Sequence, residues 1–208
     1  MITVGTLLEF TITRALPDHE AYLVMLFPDG IPALLPKKYS IKQYQLGESG
    51  WATVFNTEKT YLILSQRAPQ YTRKILEYLI NDELQASDLR IFRVAKTENG
   101  RQYKVAVKGS GRPEDLSARI RDMKELISKY IYGNIFFVKY VRNPVEYTKN
   151  ALLPAPKDKI RRVIQQEEIK QMNVYVDTAA VALFYGTKGN NVAAACKLTG
   201  YTIKIIAA

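Results

Sequence analysis

The residues best suited to chemistry lie in the stretch FYGTKGNNVAAACKLTGYTIKI, residues 184–205. There Gly186-Thr187-Lys188-Gly189 separates an apolar run from an alanine-rich run. Glycine inside a helix costs about 1 kcal/mol relative to alanine, so two of them around a lysine need a reason. One reading is an ordinary turn between two helices. The other is a main chain kept bare for close approach, and its chemistry is anion binding. Unobstructed N–H groups would meet a phosphate, the next helix would offer its positive N-terminal end, and Lys188 would add a mobile charge. Asn190 and Asn191 follow directly. They either touch the ligand or, for Asn190 above all, cap the following helix.

The rest of the chain offers little for catalysis. Cys196 is the only cysteine and His19 the only histidine. An internal disulfide is therefore impossible, a multi-histidine metal site is excluded, and a Ser-His-Asp triad could be built only around His19. GxxxxGK[ST] and GxSxG motifs are absent, and GSGRPE lacks the third glycine of a dinucleotide fingerprint. Adjacent Glu167 and Glu168 would point to opposite faces of a strand. No catalytic residue, metal, cofactor or small-molecule substrate is expected. Thirty Lys and Arg stand against twenty Asp and Glu, a formal charge of +10. That surplus favours a polyanionic partner, nucleic acid or an anionic membrane surface. No apolar run approaches the roughly 18 residues of a membrane span, and MITVGTLLEFTITRAL has no signal-peptide pattern. A cytoplasmic location, or its organellar equivalent, is expected.

The elements that must position the glycine loop follow from periodicity. Alternation over residues 4–13, 22–27, 31–35, 51–56 and 60–65, with turns at Leu16-Pro17-Asp18 and Pro28-Asp29-Gly30, predicts five short strands. A longer excursion, KKYSIKQYQLGESG, separates the third from the fourth, as in a small OB-type barrel. From Pro69 the period becomes helical and runs to about Asn81. Strands are predicted over 89–96 and 102–108, joined at Asn99-Gly100. A helical stretch then opens at Glu114-Asp115 and runs to Tyr130, before a strand at 135–141. The order then repeats: helix 145–153 after Pro144, strands 160–166 and 172–177, helix 178–185, GTKG, helix 190–198 closed by Gly200, and strand 201–206.

Helix, hairpin, helix, GxxG, helix and strand together resemble a KH domain of the type II order, in which the GxxG loop lies against the backbone of about four nucleotides. The run from 186 onward is similar to the last KH domain of the NusA family of bacterial transcription elongation, termination and antitermination factors. The likeness rests on Gly186, Lys188, Gly189, Asn191, Val192, Ala194, Leu198, Thr199, Gly200, Ile203 and Ile205. LSQRAPQYTRKILEYLI, KVAV and NPVEYTKNALLPA echo the same family upstream.

The resemblance implies a multidomain chain: an S1-like OB-fold barrel over 1–67, then two α+β type II KH domains, 68–142 and 143–208. It implies binding of single-stranded RNA at Gly186, Thr187, Lys188, Gly189, Asn190, Asn191 and Lys197, with RNA polymerase or other transcription- or ribosome-associated proteins as further partners. Two departures stand out. Ser117-Ala118-Arg119-Ile120 replaces the first GxxG, so weak or no grip is expected there, although Arg112, Arg119 and Arg121 remain available. The barrel begins almost at Met1, so the family's N-terminal polymerase-binding region is expected to be lacking.

In the barrel, Tyr22, Phe27, Tyr39 and Tyr44 beside Lys37, Lys38 and Lys42 are candidates for base stacking; the alternative is that they fill a small core. Lys37, Lys38 and Tyr39 are taken as its RNA-binding residues. Trp51 is expected to pack, and Cys196 to be a small residue on a helix face. Lys157, Lys159, Arg161 and Arg162 form either a phosphate track, with Arg161 on it, or a charged strand edge. KGSGRP, residues 108–113, is either an anion nest or a short turn. The competing reading of the whole chain is a protein–protein scaffold that has kept the architecture and lost its RNA contacts. Because a module of about 70 residues buries little surface alone, the two repeats are expected to pack as one body.

Overall fold

The alternation at the start of the chain closes into a barrel in the computed structural model, which describes residues 2–57, 61–97 and 102–208. The chain divides into two units, Met1–Leu79 with Lys129–Ile131 and Ile80–Ser128 with Tyr132–Ala208. Asn99-Gly100 lies outside the described residues, as does Thr60.

The first unit holds strands β1 (Leu7–Leu16), β2 (Ala21–Leu26), β3 (Ile31–Pro36), β4 (Ser49–Asn56) and β5 (Leu62–Ser65), closed in the order β1-β2-β3-β5-β4, and helix α1 (Pro69–Leu79). Closure leaves no free edge, and every second side chain turns inward. Phe10, Ile12, Val24, Leu26, Leu35, Val54 and Leu64 fill the interior. The barrel is narrow: a Cβ on Gly50 would lie 2.9 Å from Phe10 Cζ and 3.1 Å from Tyr44 Oη, so a side chain there would have to displace both buried rings.

Two stacking candidates are corrected here. Tyr22 and Tyr44 are buried, packed edge-to-face with ring centroids 6.0 Å apart. Tyr22 Oη accepts the Tyr44 N–H at 3.1 Å, and Tyr44 Oη accepts Gln66 Nε2–H at 2.8 Å. With their hydroxyls satisfied inside, both rings behave as core and cannot meet a base.

The second unit contains α2 (Asn81–Ala86), β6 (Leu89–Lys96), β7 (Gln102–Gly109), α3 (Pro113–Arg119), α4 (Lys124–Ser128), β8 (Asn134–Lys139), α5 (Pro144–Ala151), β9 (Ile160–Gln166), β10 (Gln171–Val176), α6 (Val181–Tyr185), α7 (Asn190–Thr199) and β11 (Thr202–Ala207). Its two sheets share one plan. An antiparallel hairpin, β6–β7 or β9–β10, gains a third strand parallel to its second member, β8 or β11. A parallel partner needs a crossover, and the helices between the strands supply it. The expected helical stretch from Glu114 is broken into α3, a 3₁₀ turn (Ile120–Met123) and α4; the helix expected at 178–185 is a 3₁₀ turn (Thr178–Ala180) and α6. Helix α2 escapes sequence reading because six residues with one buried side chain, Leu84, show no period.

The two repeats share a core, as expected. Ala95, Ala106 and Val138 of the first sheet join Met172, Val174, Ile203 and Ile205 of the second through Tyr147 and Ala151 of α5 and Val192, Ala195 and Leu198 of α7. The alanines of α7 let its backbone approach both sheets. Cys196, half-buried on this helix, accepts the Ile203 N–H at 3.2 Å, and burial raises its thiol pKa. The far end of α7 is clasped from both repeats: Arg93 Nη1 of the first donates to the Leu198 carbonyl at 3.1 Å, and Tyr147 Oη on α5 donates to the same oxygen at 3.3 Å. A cation at a helix C-terminus with a charge-assisted bond is worth about 1–2 kcal/mol. Arg93→Met should therefore lower the unfolding free energy by about that amount, read as a lower urea midpoint at unchanged slope.

Candidate nucleic-acid interface

The GTKG loop is built from left-handed backbone that only glycine adopts freely. Gly186 has φ +67°, Lys188 +54° and Gly189 +75°. Helix α6 ends as Gly186 N–H donates to the Ala182 carbonyl at 2.9 Å, and Gly189 N–H returns to the Gly186 carbonyl at 3.1 Å. The two glycines do different work. A Cβ on Gly186 would lie 2.8 Å from Asn191 Cβ, so this glycine lets the loop sit down on α7. A Cβ on Gly189 would meet nothing within 4 Å, so the main chain there is open to its surroundings. Thr187 and Lys188 are exposed between them, and Lys188 has no ion pair among the described residues.

Gly189 occupies the N-cap of α7, and no side chain caps that end. Asn190 follows as the first helical residue, so the cap expected from it is not made. Asn190 N–H donates to the Thr187 carbonyl, so the loop closes on the start of this ten-residue helix and lies at the positive end of its dipole. Asn191 turns inward. It is buried, its Nδ2 donates at 2.9 Å to both the Leu152 and Phe184 carbonyls, and its Oδ1 is buried without a partner. Buried polar atoms are nearly always paired, so an orphan acceptor beside an open loop is notable.

The loop overhangs a groove of about 380 Å³. Gly186, Thr187, Asn190 and Asn191 line one side, with Leu183 and Pro154; Gln102, Asn134 and Phe136, from β7 and β8, line the other. Among the described residues no charged side chain lines it. An apolar ring, an exposed leucine and neutral amides suit a flat heterocycle, while the loop above suits the attached phosphate.

The other expected residues are placed elsewhere. Lys197 lies in the last turn of α7, at the opposite end from the loop, with Nζ 3.4 Å from the Lys96 carbonyl. Arg161 forms a short ion pair with Asp177, Lys159 lies 3.8 Å from the same carboxylate, Lys157 donates to Asn150 Oδ1, and Arg162 sits 4.2 Å over the Tyr175 ring. The basic run leading into and along the edge strand β9 is therefore tied to its own neighbours. KGSGRP is not an empty nest. The Asp88 carboxylate accepts from Ser110 N–H and Oγ–H, bonds that hold its pKa below the usual range, and Lys139 Nζ donates to the Gly109 and Gly111 carbonyls. In the first repeat, Ser117 and Arg119 are helical residues of α3, Ser117 Oγ donates to the Pro113 carbonyl at 2.9 Å, and Arg112 holds Asp115 through two bonds. Arg119 and Arg121 remain exposed.

In the barrel unit, Lys37 and Lys38 are exposed and Tyr39 half-buried, with Lys38 Nζ 5.0 Å from its ring. Tyr39 packs on Phe55, centroids 5.1 Å apart. Sequence reading missed Phe55, which a β-bulge between Val54 and Asn56 turns outward. It also missed Gln102, Asn134, Phe136 and Leu183, which carry no motif. The charge surplus is uneven: residues 80–208 hold 22 Lys and Arg against 13 Asp and Glu, residues 1–79 only 8 against 7.

A closed five-stranded barrel with α/β parts after it is compatible with an OB-like barrel followed by α+β domains. Two curated relatives are each 26% identical over 186 residues, 84% of this chain: the transcription termination/antitermination proteins NusA of Halalkalibacterium halodurans and of Bacillus subtilis. They support a NusA-like relationship. The match takes in 47% and 49% of those proteins, so the chain spans about half the length of the curated relatives it matches. No family model matches the chain. The crystal structure of APE1850 superposes with a TM-score of 0.47 at 20% identity, over 62% of this chain and 96% of its own.

Proposed function

We propose that the chain is a non-catalytic RNA-binding protein of NusA-like architecture, an S1-type barrel followed by two type II KH domains, acting in the cytoplasm on transcription. Single-stranded RNA is held by the second KH domain. A phosphate rests on the open main chain of residues 186–189, the uncapped start of α7 faces it, and the adjoining base enters the neutral groove. The observation that carries this reading is the combination at one spot of an open left-handed glycine, an exposed lysine without an ion pair among the described residues, and a helix start with no side-chain cap. The relationship to NusA, and the basic character of residues 80–208, support RNA as the polyanion and RNA polymerase as a further partner.

Filter binding with unstructured RNA tests it. With about three to five phosphates engaged, log K should fall against log salt with a slope of about −2 to −3.5. No retention at low salt would favour the protein–protein scaffold, a reading in keeping with the loss of the glycine loop from the first repeat.

A further inference from the structure

The outer wall of the barrel carries an arrangement that the glycine loop does not use. Phe27 N–H donates to the Glu9 carbonyl at 3.0 Å, and Glu9 stands opposite Trp51 in the β1–β4 register. Phe27, Glu9 and Trp51 therefore form a row from the end of β2 across β1 to β4. Together with Leu7, Leu8 and Pro28 they line a notch of about 360 Å³. Phe27 is 51% exposed. The Trp51 ring is held from α1 by Tyr78, centroids 4.7 Å apart and planes 36° from parallel. The Glu9 carboxylate, exposed between the two aromatic walls, has neither an ion pair nor a hydrogen bond among the described residues.

We infer that this notch is a guanine-selective base site. The inference rests on the RNA reading above. Single-stranded bases are recognised by stacking on aromatic side chains and by hydrogen bonds to their Watson–Crick edges. An ionised carboxylate only accepts, through two oxygens side by side. Its complement is an edge with two adjacent N–H donors. Guanine has that edge, in N1–H and the N2 amino group. Cytosine and adenine set a ring-nitrogen acceptor beside their amino group, and uracil sets carbonyls beside its N–H, so each would turn a lone pair toward one carboxylate oxygen. Trp51 and Phe27 supply the flat apolar walls. An arginine head would also satisfy Glu9, but a guanidinium is smaller than a purine and leaves more of the aromatic walls uncovered.

Trp51 is the only tryptophan, so its fluorescence reports on the notch alone. The full chain is titrated with GMP, AMP, CMP and UMP, and with a short arginine-containing peptide. GMP should change Trp51 emission at a concentration at least tenfold below that of the other three nucleotides. Glu9→Gln, an exposed substitution that keeps the strand pairing, should erase the preference, because its amide offers one acceptor and one donor. Phe27→Ala should weaken all four nucleotides together. Thr187→Asp/Lys188→Asp should leave the GMP titration unchanged, which separates a failure of this site from a failure of the glycine loop. Equal responses to the four nucleotides, a Glu9→Gln chain that still prefers GMP, or a response to the arginine peptide and none to GMP would each overturn the inference; the last would make the notch a docking point for a basic protein segment.

Discussion

Thr187→Asp/Lys188→Asp should weaken binding of unstructured RNA about a hundredfold, roughly 2.7 kcal/mol, while the urea midpoint moves little. The double variant removes one exposed cation and sets two carboxylates where a phosphate would rest. Like charges brought together at an interface cost several kcal/mol, of which solvent screening at this exposed loop leaves a part. Neither side chain is buried, and aspartate accepts the left-handed backbone at position 188 (φ +54°) better than most residues. The more obvious variant, at Gly186, is a poor probe. Even Gly186→Ala would press its methyl to 2.8 Å from Asn191 Cβ and disturb the amide that ties the Leu152 and Phe184 carbonyls together. Lost affinity there would report on packing as much as on contact. Unchanged RNA retention by the double variant would falsify the loop assignment, since no refolding could explain it.

The second large effect concerns a buried cation. Lys104, on β7, is fully buried in the shared core, and its ammonium donates to the Ala151 and Leu153 carbonyls at the end of α5. Burial lowers its pKa from near 10.5 to about 7. In the unfolded chain Lys104 therefore keeps its proton up to about pH 10.5, while in the folded chain it begins to lose it near 7. Between those values the unfolded state binds more protons, and stability rises with pH by up to about 1.4 kcal/mol per unit. Below about pH 7 both states are protonated and the penalty of a buried charge is present in full.

Urea unfolding at a series of pH values from 6.5 to 9.5 should thus show the native chain gaining about 3 kcal/mol relative to Lys104→Met. The comparison matters because the relief of self-repulsion as the +10 chain approaches its pI acts on both proteins alike. Above about pH 10 the stability of both proteins should fall together. Burial raises the Tyr147 pKa, so tyrosinate forms first in the unfolded chain and draws stability away. Parallel pH curves for the two proteins would mean that the two carbonyls stabilise the ammonium enough to cancel its burial.

Local rules carried much of the fold. β6 at Leu89–Lys96 and β9 at Ile160–Gln166 lie where alternation places them, and Pro144 opens α5 with Asn143 as its cap, whose Oδ1 accepts the Glu146 N–H at 3.1 Å. The repeated element order was equally legible, as was a bare loop at 186–189, because alternation, proline stops and glycine turns depend on neighbours a few residues apart. Those same rules could not say which aromatics face inward. Tyr44 sits two positions from Lys42 and Tyr22 in an ordinary strand run, yet closure of the barrel turns both into the core, and a single bulge turns Phe55 out.

Nor could they supply the far wall of the groove. Gln102, Asn134 and Phe136 are separated from Gly186 by fifty to eighty-four positions, and the Arg93 grip on Leu198 spans 105. Lys197 reads as a neighbour of the loop in sequence, but a helix carries it to the other end. By itself, then, the sequence determined the elements and the glycine-built turn of one loop, through steric preferences acting within a turn or two. Tertiary structure alone decided what that loop faces, which side chains remain available, and where an uncapped carboxylate meets two rings on the barrel wall, because those depend on which strands pair and in what register.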